Sequence, residues 1–396
     1  MKKLLKYFKE IKESDYSNNY KKRLEYEYNI CKKILPDLIK FKDKNINSLT
    51  KISYNDSIRI AGEFFGSISR ELESDFYNII NNEKSDITKF EQTEEERRKD
   101  WDSLFGGPKL ETKYGYSVKF KSNDDKKLDT YEDYLSSLTG SSSSYGYTKV
   151  SMLGNIADIN TIVHEFAHRF SLGKNTYKTF EECPSIYSEL MLYDYMKKNN
   201  IVSEEEIFEL QKVKFTSYLY RIVIPKIIDK NALDFISSSK SVDEVNLEEY
   251  LSSLDDKSLD KFAIKFAIKN PEVFDKANRQ GFEYIEGALL ASYMKNNNIG
   301  FDKLITDLAH CVDNEDIFKL YNSKYGINVV SKEGELRLDD NIVNELSDSL
   351  CCELNIAEVS KESSQKIKGL NSLVKSDEEV SFSYIKRQSN QIRTTK

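Results

Sequence analysis

Proline, cysteine and histidine are all scarce in this 396-residue chain, and each scarcity excludes something. There are five prolines, so long helices meet few breakers. The five cysteines, Cys31, Cys183, Cys311, Cys351 and Cys352, are odd in number and none has CxxC spacing. Cys351 and Cys352 are adjacent and unsuited to pairing with each other. No disulfide framework is expected, and reduced thiols in the cytoplasm are. No apolar run reaches membrane-spanning length. The basic stretch from Met1 to Lys12 lacks the apolar centre of a signal peptide and reads instead as an amphipathic helix carrying Leu4, Leu5, Phe8 and Ile11. Cationic excess is missing too: 59 Lys and Arg against 66 Asp and Glu leave a net charge of −7, which argues against nucleic acid as the main partner. There is no internal repeat.

What is present is concentrated. Of three histidines, two fall in His164-Glu165-Phe166-Ala167-His168. Residues four apart on a helix share a face, so His164 and His168 can bind one zinc ion, with Glu165 beside the open position as general base for an attacking water. The third histidine, His310, precedes Cys311 and reads as a packed or surface pair. Asp158 is placed to cap the motif helix.

Organisation follows from hydrophobic spacing. Residues 1–108 read as a helical lobe: Leu24, Tyr28, Cys31, Ile34, Leu35 and Leu38 keep helical spacing, with a kink or boundary at Pro36, and Ile58 to Ile80 reads as one further helix. Gly106-Gly107-Pro108 punctuates. Residues 109–354 form the second region, with strands over 112–120 and 145–153, a polar loop ending in four serines at 141–144, the motif helix over 158–172 with Gly173 as its C-cap, and a second helix over 179–198. Residues 204–330 read as helical, with 282–293 the most buried-looking stretch. A polar tail covers 355–396. The fold class is mainly α, with a small antiparallel β-sheet beside the motif helix.

A catalytic zinc usually takes three protein ligands. Glu181, Glu182 and Glu189 are the acids close downstream, and Glu182 and Glu189 are two helical turns apart on one face. Either can return to the metal if the two helices reverse, and Glu182 can also serve a Thr179-x-x-Glu182 capping pattern. Cys183 adjoins Glu182 and on a helix points away from it.

Residues 147–168 resemble the oligoendopeptidase F and thimet oligopeptidase family of zinc peptidases: Tyr147, Gly154 and Asp158 stand at matching distances before His164. Phe180-Glu181-Glu182-Cys183-Pro184-Ser185 is similar to the family segment whose Glu is the third ligand, and Glu189 matches a further family Glu. Tyr114-Gly115-Tyr116-Ser117 resembles an upstream strand. Phe282 to Ile285, with Ala288 and Leu289, resembles a helix whose tyrosines lie near the scissile carbonyl. The resemblance implies a helical, gluzincin-like zinc metallopeptidase that takes oligopeptides, with His164, His168 and Glu182 on Zn²⁺ and Glu165 and Tyr284 catalytic. The chain departs from the family pattern in three places. The spacing from His168 to Glu182 is short, Gly287 stands where a second tyrosine is often found, and no His lies between 169 and 309. A catalytically inactive, zinc-containing peptide-binding protein is the alternative those departures leave open.

Overall fold

A computed structural model describes residues 2–11, 17–42, 49–81, 85–89, 142–144, 147–152, 154–172, 180–238, 244–274, 279–332 and 335–354. The architecture is mainly helical, with short strands. Helix starts follow side-chain chemistry. Ser17, Ser53, Ser203 and Ser258 each accept a backbone N–H in the first turn of the helix they open, and Ser203 with Glu206 forms a full capping box.

The chain divides into two compact units, residues 1–47 with 170–378, and residues 48–169 with 379–396. The first contains α1 (Lys2–Glu10), α2 (Asn18–Leu38) and, from residue 170 onward, most of the remaining helices. At its centre α6 (Glu182–Lys198) packs on α11 (Glu283–Asn296). Both are buried nearly all round, as a helix enclosed by others must be. Around them lie α7 (Glu204–Tyr218), a π-turn over Leu219–Val223, α8 (Ile224–Ser238), α9 (Glu244–Ser253), α10 (Leu259–Lys269), α12 (Phe301–His310), α13 (Asn314–Lys319), and a helix over 340–354. The antiparallel pair β4 (Val329–Lys332) and β5 (Glu335–Leu338) belongs to the same unit.

Buried charge fixes α11 in place. Arg23 on α2 donates to Glu27 (2.9 Å) and to Glu286 of α11 (3.0 Å). Tyr26 donates to the other Glu286 oxygen (2.8 Å), and Lys226 reaches Glu27 (2.5 Å). Burial pushes the Glu286 carboxyl above the usual range while Arg23 pulls it back. Just before α11, Arg279 donates to Asp229 (2.6 Å) and to the Tyr7 hydroxyl (2.7 Å), and Tyr7 donates to Asp229. Removing one member of such a network leaves a buried charge without its partner. Arg23→Ala is therefore expected to cost about 3 kcal/mol, read as a lower urea midpoint with unchanged slope. An unchanged midpoint would show that α11 is not held this way.

The second unit contains α3 (Tyr54–Ile68), α4 (Arg70–Asn81), three strands and most of α5 (Ala157–Leu172), within which the unit boundary falls. Phe76 joins α4 to α5 by stacking on Phe166 (4.5 Å between ring centres) and to α3 through Phe65 (5.4 Å). β3 (Tyr147–Met152) is the central strand, with β2 (Ser142–Ser144) antiparallel on one side and β1 (Ser85–Lys89) parallel on the other.

Several local expectations change. The run from Ile58 to Ile80 is two helices, because Ser69 is extended (φ −157°, ψ 138°) and breaks the ladder. Pro36 does not end α2, which runs on to Leu38 and into a short 3-10 turn over Ile39–Phe41. β1 comes from the region read as helical, and its parallel pairing to β3 depends on a partner about sixty residues away, which local spacing does not encode. The expected strand at 112–120, the cap at Gly173 and the tail 355–396 lie outside the described residues. Among the described residues no helix is long and apolar enough to cross a membrane.

Candidate metal centre

The motif helix is anchored at its start. Gly154 has φ +81°, in the left-handed region glycine enters without strain. Its backbone turn is held from both sides: Ile52 N–H donates to the Gly154 carbonyl (3.2 Å) and Ile156 N–H to the Thr50 carbonyl (3.0 Å). Asn155 accepts from the Ala157 N–H (2.9 Å), and the buried Asp158 carboxylate accepts from the N–H groups of Gly154 (2.6 Å) and Asn155 (3.2 Å). Asn155 thus caps α5, while Asp158, read from the sequence as the cap, binds the turn before it. An acid there also suits the positive end of the helix dipole.

Nearly two turns further on, His164 and His168 face each other. Their Nε2 atoms are 3.2 Å apart and their ring planes nearly perpendicular, at 80°. Two zinc–nitrogen bonds of tetrahedral geometry would put the nitrogens about 3.3 Å apart. Without a cation the same distance fits one N–H···N hydrogen bond. Glu165 is buried between them in sequence, at 4 % exposure.

Glu182 arrives on a different element. Phe180 takes φ +63°, an uncommon conformation for a non-glycine residue. Its ring is buried edge-on against Tyr321 (5.5 Å), and its carbonyl accepts from Cys183 N–H (3.0 Å). That tight turn makes Glu182 the first residue of α6. At 3 % exposure it is not a solvated capping carboxylate. Gly287 on α11 lies directly against it: a Cβ there would stand 2.7 Å from the Glu182 Cβ and 2.9 Å from its backbone carbonyl carbon.

The ligand atoms of His164, His168 and Glu182 all lie within 4.8 Å of one another. Among the described residues this is the group of three such side chains that could hold a metal ion. Two imidazole nitrogens and a carboxylate oxygen are a donor set suited to zinc, and three protein ligands leave a coordination position for a reactant. The residues fit the metal.

Glu189 and Cys183 are engaged elsewhere. Glu189, the alternative third ligand, accepts from Lys214 (2.5 Å) and is approached by the Tyr193 hydroxyl. It braces α6 against α7 and is not in the triad. Cys183 is fully buried near Tyr321, and burial pushes its thiol up to about 12. His310 is exposed at the end of α12, its Nδ1 2.6 Å from the Thr306 carbonyl. Tyr284 is buried in the first turn of α11. It lies three residues before Gly287 and so shares the helix face turned toward Glu182. Two contributors escaped sequence reading. Lys214 is one lysine among many, 25 residues from its partner. Gly287 reads only as a missing side chain until α6 is seen against it.

No family model matches the chain, and no curated protein matches it. Two solved structures are similar to it. The "putative peptidase from Chlamydophila abortus" is 13% identical with a TM-score of 0.47, covering 86% of this chain and 55% of that one. PZ peptidase A, solved with an inhibitor, is 13% identical with a TM-score of 0.46, covering 86% and 59%. This chain thus spans little more than half the length of either. At that level of likeness neither fold nor activity follows from them, and the case for chemistry rests on the side chains.

Proposed function

We propose that this chain is a zinc-dependent metallopeptidase that hydrolyses oligopeptides. The observation that carries the reading is the convergence of His164, His168 and Glu182, drawn from two separate helices, within reach of a single ion. The resemblance of residues 147–168 and 180–185 to the oligoendopeptidase F and thimet oligopeptidase family supports it.

His164, His168 and Glu182 hold the ion, which supplies Lewis acidity toward a peptide carbonyl and toward water. Glu165 takes the proton from the attacking water and returns it to the leaving amine, so the same carboxylate acts first as base and then as acid. Tyr284 donates to the carbonyl oxygen as negative charge builds on it. Substrate is a peptide in the cytoplasm, where the chain's five thiols stay reduced.

Purified protein is expected to bind one zinc per chain and to cleave a fluorescence-quenched library of short peptides. A chelator should stop cleavage and added zinc should restore it. Zinc at one equivalent with no cleavage would favour a second reading, a non-catalytic peptide-binding protein, which the glycine at 287 and the lack of histidine between 169 and 309 favour. Absence of bound zinc would remove both.

A further inference from the structure

Tyr218 ends α7, immediately before the π-turn at Leu219–Val223. Such turns within helices are frequently found at functional sites. The side chain is 2 % exposed, and its hydroxyl has no hydrogen-bond partner among the described residues. A buried hydroxyl left unpaired is costly and uncommon. Replacing it by phenylalanine's hydrogen would relieve that cost, so the hydroxyl calls for a purpose.

Its surroundings supply one. On one side Lys214 lies over the Tyr218 ring (5.9 Å to the centre) and donates to Glu189 of α6. On the other, Ser217 donates to the Gln280 side chain (3.0 Å) and Gln280 N–H to the Arg221 carbonyl (3.3 Å), which ties this end of α7 to the lead-in of α11. Tyr218 is thus fixed where α6, α7 and the start of α11 meet. The groups whose charges act on its hydroxyl are Glu189, Glu182, Tyr284 and Tyr193. They include the carboxylate of the metal triad and the tyrosine already placed at the reacting carbonyl.

We propose that Tyr218 is a further catalytic residue, whose hydroxyl donates a hydrogen bond to the scissile carbonyl oxygen beside Tyr284. This rests on the peptidase reading above. The phenol keeps its proton throughout: as the bond from water to the carbonyl carbon forms, the carbonyl oxygen gains charge and the hydrogen bond strengthens. When the C–N bond breaks, the charge returns to the carbonyl and the bond weakens. The unpaired hydroxyl is then a donor held ready for an oxygen that arrives with the substrate.

The test is Tyr218→Phe in the full chain, loaded with zinc. Expected are one zinc per chain with unchanged affinity, kcat lower by about 100-fold, the scale for one oxyanion donor, and KM within a few-fold of wild type. A phosphinic peptide that mimics the tetrahedral state should bind more weakly by a similar factor. The metal-free variant should melt no lower than wild type. Unchanged kcat and phosphinate affinity in an active background would overturn the Tyr218 assignment and leave the peptidase reading standing. Weaker zinc binding large enough to explain the loss would overturn it in favour of support for Glu182. An inactive zinc-loaded wild type would overturn both.

Discussion

Replacing Glu165 with Gln is expected to leave one zinc bound per chain and to lower kcat by about 1,000-fold, within the range for loss of a general acid–base group. Glutamine keeps the volume and one carbonyl acceptor but cannot take a proton from water at any working pH. The residue is not among the three side chains that could hold the ion, so metal binding is expected to be indifferent to the change. The side chain is 4 % exposed, and a neutral amide is easier to bury than a carboxylate. The variant should therefore melt no lower than wild type, which separates lost chemistry from lost structure. Zinc by atomic absorption, melting temperature and initial rates on one peptide complete the measurement. Rates equal to wild type, with zinc present, would remove Glu165 from the mechanism.

The second large effect is expected from a residue with no side chain. Gly287→Ala adds one methyl group 2.7 Å from the Glu182 Cβ, 2.9 Å from its carbonyl carbon and 3.1 Å from the Cys183 nitrogen. Two of these three atoms are backbone of the first turn of α6, so no rotamer change makes room. Either α6 or α11 has to move. α11 is held at the adjacent residue, Glu286, by Arg23 and Tyr26, which leaves the first turn of α6 as the part that yields. Overpacking of this kind costs about 1–3 kcal/mol, and the displaced residue is the carboxylate of the triad. Zinc affinity is expected to fall at least tenfold, the equivalent of about 1.4 kcal/mol, with a lower melting temperature in the metal-free protein. Lower stability with unchanged zinc affinity would mean that Glu182 does not ligate the ion. The same geometry accounts for a departure noted in the sequence. A tyrosine at 287, where the resembling family often has one, would collide with Glu182 in this packing.

The helical character and the motif helix were legible because both are local. Spacing of apolar residues every three or four positions and few prolines dictate helices without reference to distant partners. The His164–His168 pairing follows from helical periodicity alone. The interruption at Ser69 was not legible, since nothing around Ile68 forbids a continuous helix. Nor was β1, whose hydrogen-bond partner is β3. The choice between Glu182 and Glu189 lay beyond local reading as well. Seven residues apart, they share a face, and no propensity separates them. Lys214, from another helix, engages Glu189, while Gly287 lets α11 close on Glu182.

By itself the sequence determined which side chains could meet a metal from one helix, because the geometry of an α-helix is set within four residues. Only the tertiary structure decided which acid lies beside them, which polar groups are consumed by structural ion pairs, and that the Tyr218 hydroxyl is among the buried ones left unpaired. Those outcomes depend on packing between segments distant in the chain, where burial fixes the cost of every unpaired charge and every added atom.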